Sequence, residues 1–105
     1  MFGFGGGETI KESDTLEKNS LVYEIGDDKP FTGKVVKWHK NGQKEFEFNY
    51  KDGKLHGKET GWHKNGQKEY EVNYKDGKRH GKCSWWYENG KIKEEINYKD
   101  GVEIK

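Results

Sequence analysis

The 105-residue chain is long enough for one small domain, and its lack of alanine together with 15 glycines argues against helices as a major component. Twenty Lys and Arg balance 19 Asp and Glu, and the signs are interleaved, so no basic stripe for nucleic acid is expected. The single Cys83 excludes an intrachain disulfide, and no apolar run is long enough for a signal peptide or membrane span. We therefore expect a cytoplasmic protein.

The first part of the chain divides into two segments. Residues 1–12 contain the run Met-Phe-Gly-Phe-Gly-Gly-Gly and are predicted to be a flexible, glycine-rich lead. Residues 13–32 are predicted to form an N-terminal cap and degenerate half-repeat, with strands over 15–17 and 21–25. Such a cap would protect the first edge of an open repeat sheet.

The rest of the chain, residues 33–105, repeats with a period of 24 residues. The three copies read GKVVKWHKNGQKEFEFNYKDG from Gly33, GKETGWHKNGQKEYEVNYKDG from Gly57 and GKCSWWYENGKIKEEINYKDG from Gly81. A period of this length predicts a repeat architecture in which each unit buries its apolar face against its neighbours. Because an active site needs unlike residues that converge at one place, the repeat also argues against an enzyme.

Each copy contains an Asn-Gly and an Asp-Gly pair flanked by strand-like segments, and these pairs favour hairpin turns. A two-residue loop at Asn-Gly would put Trp38 on the same face as Glu45. A three-residue loop pairs His39 with Gln43 instead, and it collects the apolar residues on one side. We therefore predict the three-residue loop.

This register, applied to every hairpin, places the even-numbered strand residues on one face of the sheet. The predicted apolar face consists of Val36, Trp38, Phe46, Phe48, Tyr50, Trp62, Tyr70, Val72, Tyr74, Trp86, Ile92, Ile96, Tyr98, Val102 and Ile104. The predicted charged face consists of Lys37, Glu45, Glu47, Asn49, Glu59, Glu69, Glu71, Asn73, Lys93, Glu95 and Asn97. The fold class is therefore all-β, a single-layer antiparallel β-meander of hairpin repeats.

The pattern W-x-x-N-G followed by N-Y-K-D-G-K-x-x-G closely resembles the MORN-type repeat, in the bacterial variant called the second MORN class. The resemblance extends from Gly33 to about Gly101. Chains of this kind are commonly labelled YwqK-family antitoxins. The resemblance implies a scaffold or protein-binding surface and, in some members, a contact to phosphoinositide membranes. It implies no catalytic motif.

The residues capable of metal or covalent chemistry do not form a site. His39 and His63 share one repeat position and His56 and His80 another, so equivalent histidines lie roughly 9.6 Å apart, too far to share a zinc ion. The register places Cys83 between carboxylates on the charged face, which disfavours the thiolate. We predict no catalytic, cofactor-binding or metal site, and no cofactor.

The aromatic side chains have two compatible roles, as the core of the fold and as an interaction surface, because a single layer leaves part of the face uncovered. We expect a non-enzymatic protein–protein interaction or scaffold module. An antitoxin or immunity protein that occludes a toxin is the alternative, and lipid-surface binding and single-strand nucleic-acid binding stay open. Trp85 has no aromatic counterpart in the other copies. The candidate partner-binding residues are Trp38, Trp62, Tyr70, Trp85, Trp86 and Tyr87.

Overall fold

The computed structural model describes residues 8–105, which form strands joined by tight turns. Among these described residues, one 3-10 turn covers Glu12–Asp14. The strands are β1 Glu8–Lys11, β2 Thr15–Lys18, β3 Leu21–Glu24, β4 Gly33–Trp38, β5 Lys44–Lys51, β6 Lys54–Leu55, β7 Gly57–Trp62, β8 Lys68–Lys75, β9 Lys78–Arg79, β10 Gly81–Trp86, β11 Ile92–Lys99 and β12 Val102–Ile104.

Ten of these strands make one sheet, in the order β1-β4-β5-β7-β8-β10-β11-β12, with β6 paired to β5 and β9 paired to β8. Consecutive strands are antiparallel, and β1 pairs in parallel with β4. Strands β2 and β3 form a separate hairpin. The predicted fold class, an all-β meander of hairpin repeats, is confirmed.

The N-terminal region is more ordered than its composition suggested. The first seven residues of the predicted lead lie outside the described residues. The last five are not a lead, because Glu8–Lys11 is a strand and Glu12 opens the 3-10 turn. Strand β1 holds its place because Ile10, which is buried, pairs with Val35.

The Asn-Gly turns have the predicted three-residue loop. In the first hairpin the His39 amide donates to the Gln43 carbonyl at 2.7 Å, and the Gly42 amide donates back to the His39 carbonyl at 3.0 Å. Gly42 has a φ of 90°, a region that glycine enters without steric cost. The Asn41 side-chain oxygen accepts the Gln43 amide at 3.0 Å, which explains why asparagine precedes the glycine.

Beyond the loop the predicted register is wrong, because each hairpin contains a β-bulge. Trp38 lies opposite Lys44, but Lys37 lies opposite Phe46, so Glu45 is an extra residue in the second strand. The second and third hairpins shift at the same place. An extra residue inverts the alternation of side chains, so the first strand presents its odd-numbered residues to the face where the second strand presents its even-numbered ones.

The two faces therefore differ from the predicted ones. The residues that leave the predicted apolar face are Val36, Trp38, Trp62, Trp86, Ile92, Val102 and Ile104. Those that join it are Lys37, Glu59, Cys83 and Trp85. The aromatic face, as named from here on, consists of Val35, Lys37, Phe46, Phe48, Tyr50, Glu59, Gly61, Tyr70, Val72, Tyr74, Cys83, Trp85, Ile96 and Tyr98. The tryptophan face consists of Lys34, Val36, Trp38, Glu47, Asn49, Lys58, Thr60, Trp62, Glu71, Asn73, Lys82, Ser84, Trp86 and Glu95.

The best-packed part of the core lies over the first hairpin. Ile10, Phe31 and Val35 form one buried cluster, and Phe48 and Tyr50 pack against it. The Phe31 and Tyr50 rings meet edge to face with centroids 6.5 Å apart. Strand β1, at the edge of the sheet, thus adds Ile10 beside Val35 on the aromatic face at its first repeat.

Side chains complete the junctions between hairpins, where the strand ladders are short. Strands β5 and β7 share only two registered pairs. At the loop end, His39 Nε2 donates to the Trp62 carbonyl and Asn41 Nδ2 donates to the Lys64 carbonyl, both at 2.9 Å. Near the other end, Asn49 Nδ2 donates to a backbone carbonyl of β7 at 2.6 Å. The next junction repeats all three bonds with His63, Asn65 and Asn73.

These junctions predict a difference between two chemically identical substitutions. Asn65→Ala removes the Nδ2 bond to the Glu88 carbonyl and the Oδ1 bond within the loop. Asn89→Ala removes only the corresponding loop bond, because in residues 8–105 the Asn89 side-chain nitrogen has no hydrogen-bond acceptor. Asn65→Ala is therefore expected to lower the free energy of unfolding by about 1 kcal/mol more than Asn89→Ala. Urea denaturation measures both, and equal losses would contradict a stabilising junction bond.

Candidate functional site

The structure separates the candidate partner-binding residues into three groups. Tyr70 and Trp85 are direct neighbours on the aromatic face, where they pair across β8 and β10. The other tryptophans, at positions 38, 62 and 86, line the tryptophan face. Tyr87 lies at the tip of the third hairpin, is 51% exposed and has the Lys93 amine 5.8 Å from its ring centre.

Gly61 permits the close packing of Tyr70. The two residues are cross-strand partners, and a Cβ atom at Gly61 would collide with the Tyr70 ring. The ring therefore lies against the bare backbone of β7, a position that the other copies fill with Lys37 and Trp85. This substitution pattern leaves Tyr70 and Trp85 side by side as a continuous aromatic surface.

Glu59 lies at the centre of the aromatic face. It pairs with Val72, which puts Tyr70 and Tyr74 diagonally across from it on β8. Burial raises the pKa of Glu59 above 4.5, and interactions with the two tyrosine hydroxyls and with the positive charge of Arg79 oppose that shift. The carboxylate is thus held among aromatic rings rather than in open solvent.

The tyrosines around Glu59 act as neutral hydroxyl groups. Burial is the main cause of a raised pKa at Tyr70 and Tyr74, and the nearby Glu59 charge raises both further. Burial also raises the pKa of Tyr50 to about 12. These side chains therefore offer hydroxyl donors and ring surface, and no negative charge of their own at neutral pH.

Arg79 supplies a guanidinium group to the aromatic face. Its guanidinium carbon lies 5.5 Å from the Trp85 ring centre and 5.3 Å from that of Tyr98, within the range of cation–π attraction. Its Nη1 donates to the Tyr98 hydroxyl at 3.1 Å. The corresponding residues of the first two copies, Phe31 and Leu55, are apolar.

Cys83 is not on a charged face between Glu69 and Glu95, as the sequence had predicted. The bulge turns it onto the aromatic face, opposite Ile96, with a side chain that is 0% exposed. A thiol without solvent access is a packing residue.

The tryptophan face combines apolar rings with paired charges. The Lys44 amine lies 5.6 Å from the Trp62 ring centre, and the Lys68 amine lies 5.9 Å from that of Trp86. Trp38 has no such cover from the described residues and is 47% exposed. A cleft of about 640 Å³ opens beside Trp38 at the hairpin tips.

The histidine side chains form hydrogen bonds with backbone groups. Two of them brace the hairpin junctions through their Nε2 atoms, as described above. His80 Nδ1 accepts the amide of Asp100, whose φ is 52°, at 3.4 Å, and His56 does the same for Asp76 at 3.5 Å. Within residues 8–105, no three His, Cys, Asp or Glu side chains are grouped closely enough to hold a metal ion. The same residues include no helix that is long and apolar enough to cross a membrane.

A family model described as the MORN repeat variant matches residues 31–52, 55–76 and 79–100. The chain belongs to this family. MORN repeats generally mediate protein or membrane interactions and are typically non-enzymatic. Comparison with curated proteins and with solved structures gave no match.

The family boundaries coincide with a structural closure of each MORN unit. The three matches start at Phe31, Leu55 and Arg79, and the carbonyl of each accepts the amide of the Asp-Gly glycine that follows its unit, at 2.8 Å. Each first residue is thereby fixed beside the second strand of its own hairpin. In the third MORN unit, this position carries the charged Arg79.

Sequence reasoning missed Glu59 and Arg79 as members of one site. The signal that could have found them is their departure from the MORN repeat, since Glu59 replaces Val35 of the first copy and Arg79 replaces Leu55 of the second. Without the bulge, Glu59 falls among the solvated glutamates. With the bulge, Glu59 takes the position that Val35 and Cys83 occupy in the other two copies, and those residues are 2% and 0% exposed.

The burial of Cys83 predicts slow reaction with thiol reagents. A thiol-reactive dye should label the native protein at least about 100-fold more slowly than the unfolded protein, because labelling then requires the sheet to open. The labelling rate in buffer and in denaturant provides the comparison. Similar rates would indicate the exposed position that the sequence had predicted.

The shifted carboxyl groups predict opposite pH effects on stability. Glu59→Gln is expected to be as stable as wild type or slightly more so at pH 7, by less than about 1 kcal/mol, because a partly exposed charge is screened. That gain should vanish as the pH falls through the raised pKa of Glu59 towards 4.5, since the carboxyl is then protonated in both folded and unfolded chains.

The matched control is Glu71→Gln on the tryptophan face. A hydrogen bond from Lys68 and the nearby positive charges lower the pKa of Glu71, so its charge stabilises the fold above pH 4.5. Glu71→Gln should therefore destabilise the protein at pH 7, and wild type should lose this advantage as the pH falls through the lowered pKa. Thermal melts across this pH range would refute the assignment if both variants changed in the same direction.

Proposed function

We propose that the protein is a non-enzymatic interaction module that binds a protein partner through its aromatic face. The observation that carries this proposal is a pair of neighbouring rings that the sheet leaves partly exposed. In the row of cross-strand neighbours that runs through the middle of this face, Val35, Val72 and Cys83 are buried. Tyr70 and Trp85 lie side by side in the next row and are only partly buried.

The composition of this partly exposed region supports a protein partner. Large aromatic rings and an arginine are the side chains that contribute most binding energy in protein interfaces, and Tyr70, Trp85, Tyr98 and Arg79 are grouped here. Their rings are fixed by cross-strand packing and by the guanidinium between them. A partner would therefore meet a surface that loses little conformational entropy on binding.

The charge pattern favours a protein over an anionic membrane. The lysines of the tryptophan face are engaged with carboxylates, since Lys34 and Lys58 lie 3.7 Å from Glu47 and Glu71. Lys82 and Glu95 likewise lie 3.0 Å apart. Lysines that are already neutralised offer little attraction to anionic lipid.

A toxin whose active site is occluded would be one partner of the proposed kind, and the sequence resemblance supports that choice. We further propose that the protein acts in the cytoplasm, because one buried thiol suits a reducing compartment.

The surface is tested by affinity capture from lysate of the source cell with three forms of the full chain. Trp85→Ala alters the aromatic face, and Trp38→Ala alters the most exposed tryptophan of the opposite face. Removal of a central aromatic anchor typically costs about 2 kcal/mol or more, so Trp85→Ala should reduce recovery of the partner more than tenfold. Trp38→Ala should leave recovery unchanged.

Circular dichroism establishes that both variants are folded. Equal recovery by wild type and Trp85→Ala, or loss of the partner with Trp38→Ala alone, would contradict the proposed surface. Sedimentation with vesicles that contain anionic lipid tests the membrane alternative, and wild type should remain in the supernatant.

A further inference from the structure

We propose that Glu59 is the specificity contact of the aromatic face and that it receives an arginine side chain of the protein partner. This inference rests on the proposed function and names one chemical group that the partner must present. Four observations on the second and third repeats carry it.

The first observation is the cost of a carboxylate at this position. Glu59 lies opposite Val72, and the pairing of Phe46 with Gly61 brings Phe48 to its other side. At the position of Glu59, the first and third repeats have the buried apolar side chains of Val35 and Cys83. An ionised group among such neighbours loses hydration, so it weakens the isolated fold unless something else uses it.

The second observation is the contrast with the glutamates of the tryptophan face. Glu47, Glu71 and Glu95 each form an ion pair with a lysine of a neighbouring strand. Within residues 8–105, Glu59 forms no ion pair. Its charge is stabilised by tyrosine hydroxyls and by the longer-range attraction of Arg79. A carboxylate in this setting gains most from a cation that arrives with a partner.

The third observation is that the aromatic face already holds one guanidinium. In the third repeat Arg79 lies on the rings of Trp85 and Tyr98 and donates to the Tyr98 hydroxyl. Planar guanidinium groups stack on aromatic rings and bind carboxylates through paired donors, which an ammonium group cannot do. The face therefore has the chemistry that arginine requires.

The fourth observation is that Arg79, the cation whose charge acts on Glu59, is engaged with the tyrosines on either side of it. Arg79 is the cross-strand partner of Tyr74 and donates to the Tyr98 hydroxyl. Leu55, which stands at the same repeat position one unit earlier, is apolar and supplies no further cation. Because Glu59 is only partly buried, a side chain can reach it from the open side of the sheet.

The test is a nuclear magnetic resonance titration of the full ¹⁵N-labelled chain with N-acetyl-arginine methylamide. Wild type should show saturable shifts of the Glu59, Tyr70 and Tyr74 amides, with a dissociation constant on the order of millimolar. The neutral isostere N-acetyl-citrulline methylamide should not saturate these amides. Glu59→Gln should weaken arginine binding at least about tenfold, because it removes the charge and keeps the shape.

Glu71→Gln is the matched control, since it removes one carboxylate from the opposite face. It should bind arginine as wild type does, and the spectra themselves show whether each variant is folded. Equal arginine affinity of Glu59→Gln and wild type would overturn the inference. Equal affinity for arginine and citrulline would overturn it as well.

The inference and the proposed function fail in different ways. If Trp85→Ala loses the partner while Glu59→Gln retains it and the arginine probe does not bind, the aromatic face is the interface and Glu59 is not its specificity contact. If the arginine probe binds at Glu59 but Trp85→Ala retains the partner, Glu59 binds guanidinium and the proposed interface is wrong.

Discussion

The hydrogen bonds between successive hairpins are the interactions on which the rest of the structure depends. Each hairpin is joined to the next by two registered strand pairs, and side chains from one hairpin add hydrogen bonds to backbone carbonyls of its neighbour. A two-stranded hairpin alone is marginally stable in water. The histidine and asparagine bonds fix how hairpins stack, and the stacking creates both faces of the sheet.

The bulge in each hairpin determines which side chains lie on each face. It sends the tryptophans at positions 38, 62 and 86 to one side and the second-strand tyrosines and phenylalanines to the other. One side then consists of apolar rings interleaved with paired charges. The other has its buried cluster of Ile10, Phe31 and Val35 at the first repeat and the partly exposed pair of Tyr70 and Trp85 farther along.

The sequence predicts the repeat, the hairpins and the loop length because each is encoded locally. The 24-residue spacing and the Asn-Gly turn contain that information within a few residues. The bulge at Glu45 has no such local code. Val35 and Val36 are adjacent, equally apolar and both buried, so the alternation of side chains does not choose between them.

The candidate site was accordingly predictable only in part. Tyr70 and Trp85 were found by residue type, but their contact depends on the corrected register. Glu59 and Arg79 were missed as a pair because their proximity to the same rings requires the bulge. Strand β1 was missed because its partner, β4, lies more than 20 residues away and its sequence has one strong apolar residue, Ile10.

The direction of the junction bonds has an evolutionary consequence. In the first two units the histidine and asparagine donors point to carbonyls of the following hairpin, so a unit that carries all of them can stand between two others. The third unit has Tyr87 at the histidine position. Duplication of the 24 residues of the second unit would preserve these bonds and both faces, while insertion of one residue into a strand would invert its alternation of side chains. Such a chain can lengthen its surface in steps of roughly 10 Å, two strand spacings at a time. Single positions such as Glu59 are then free to diverge and distinguish one unit from the next.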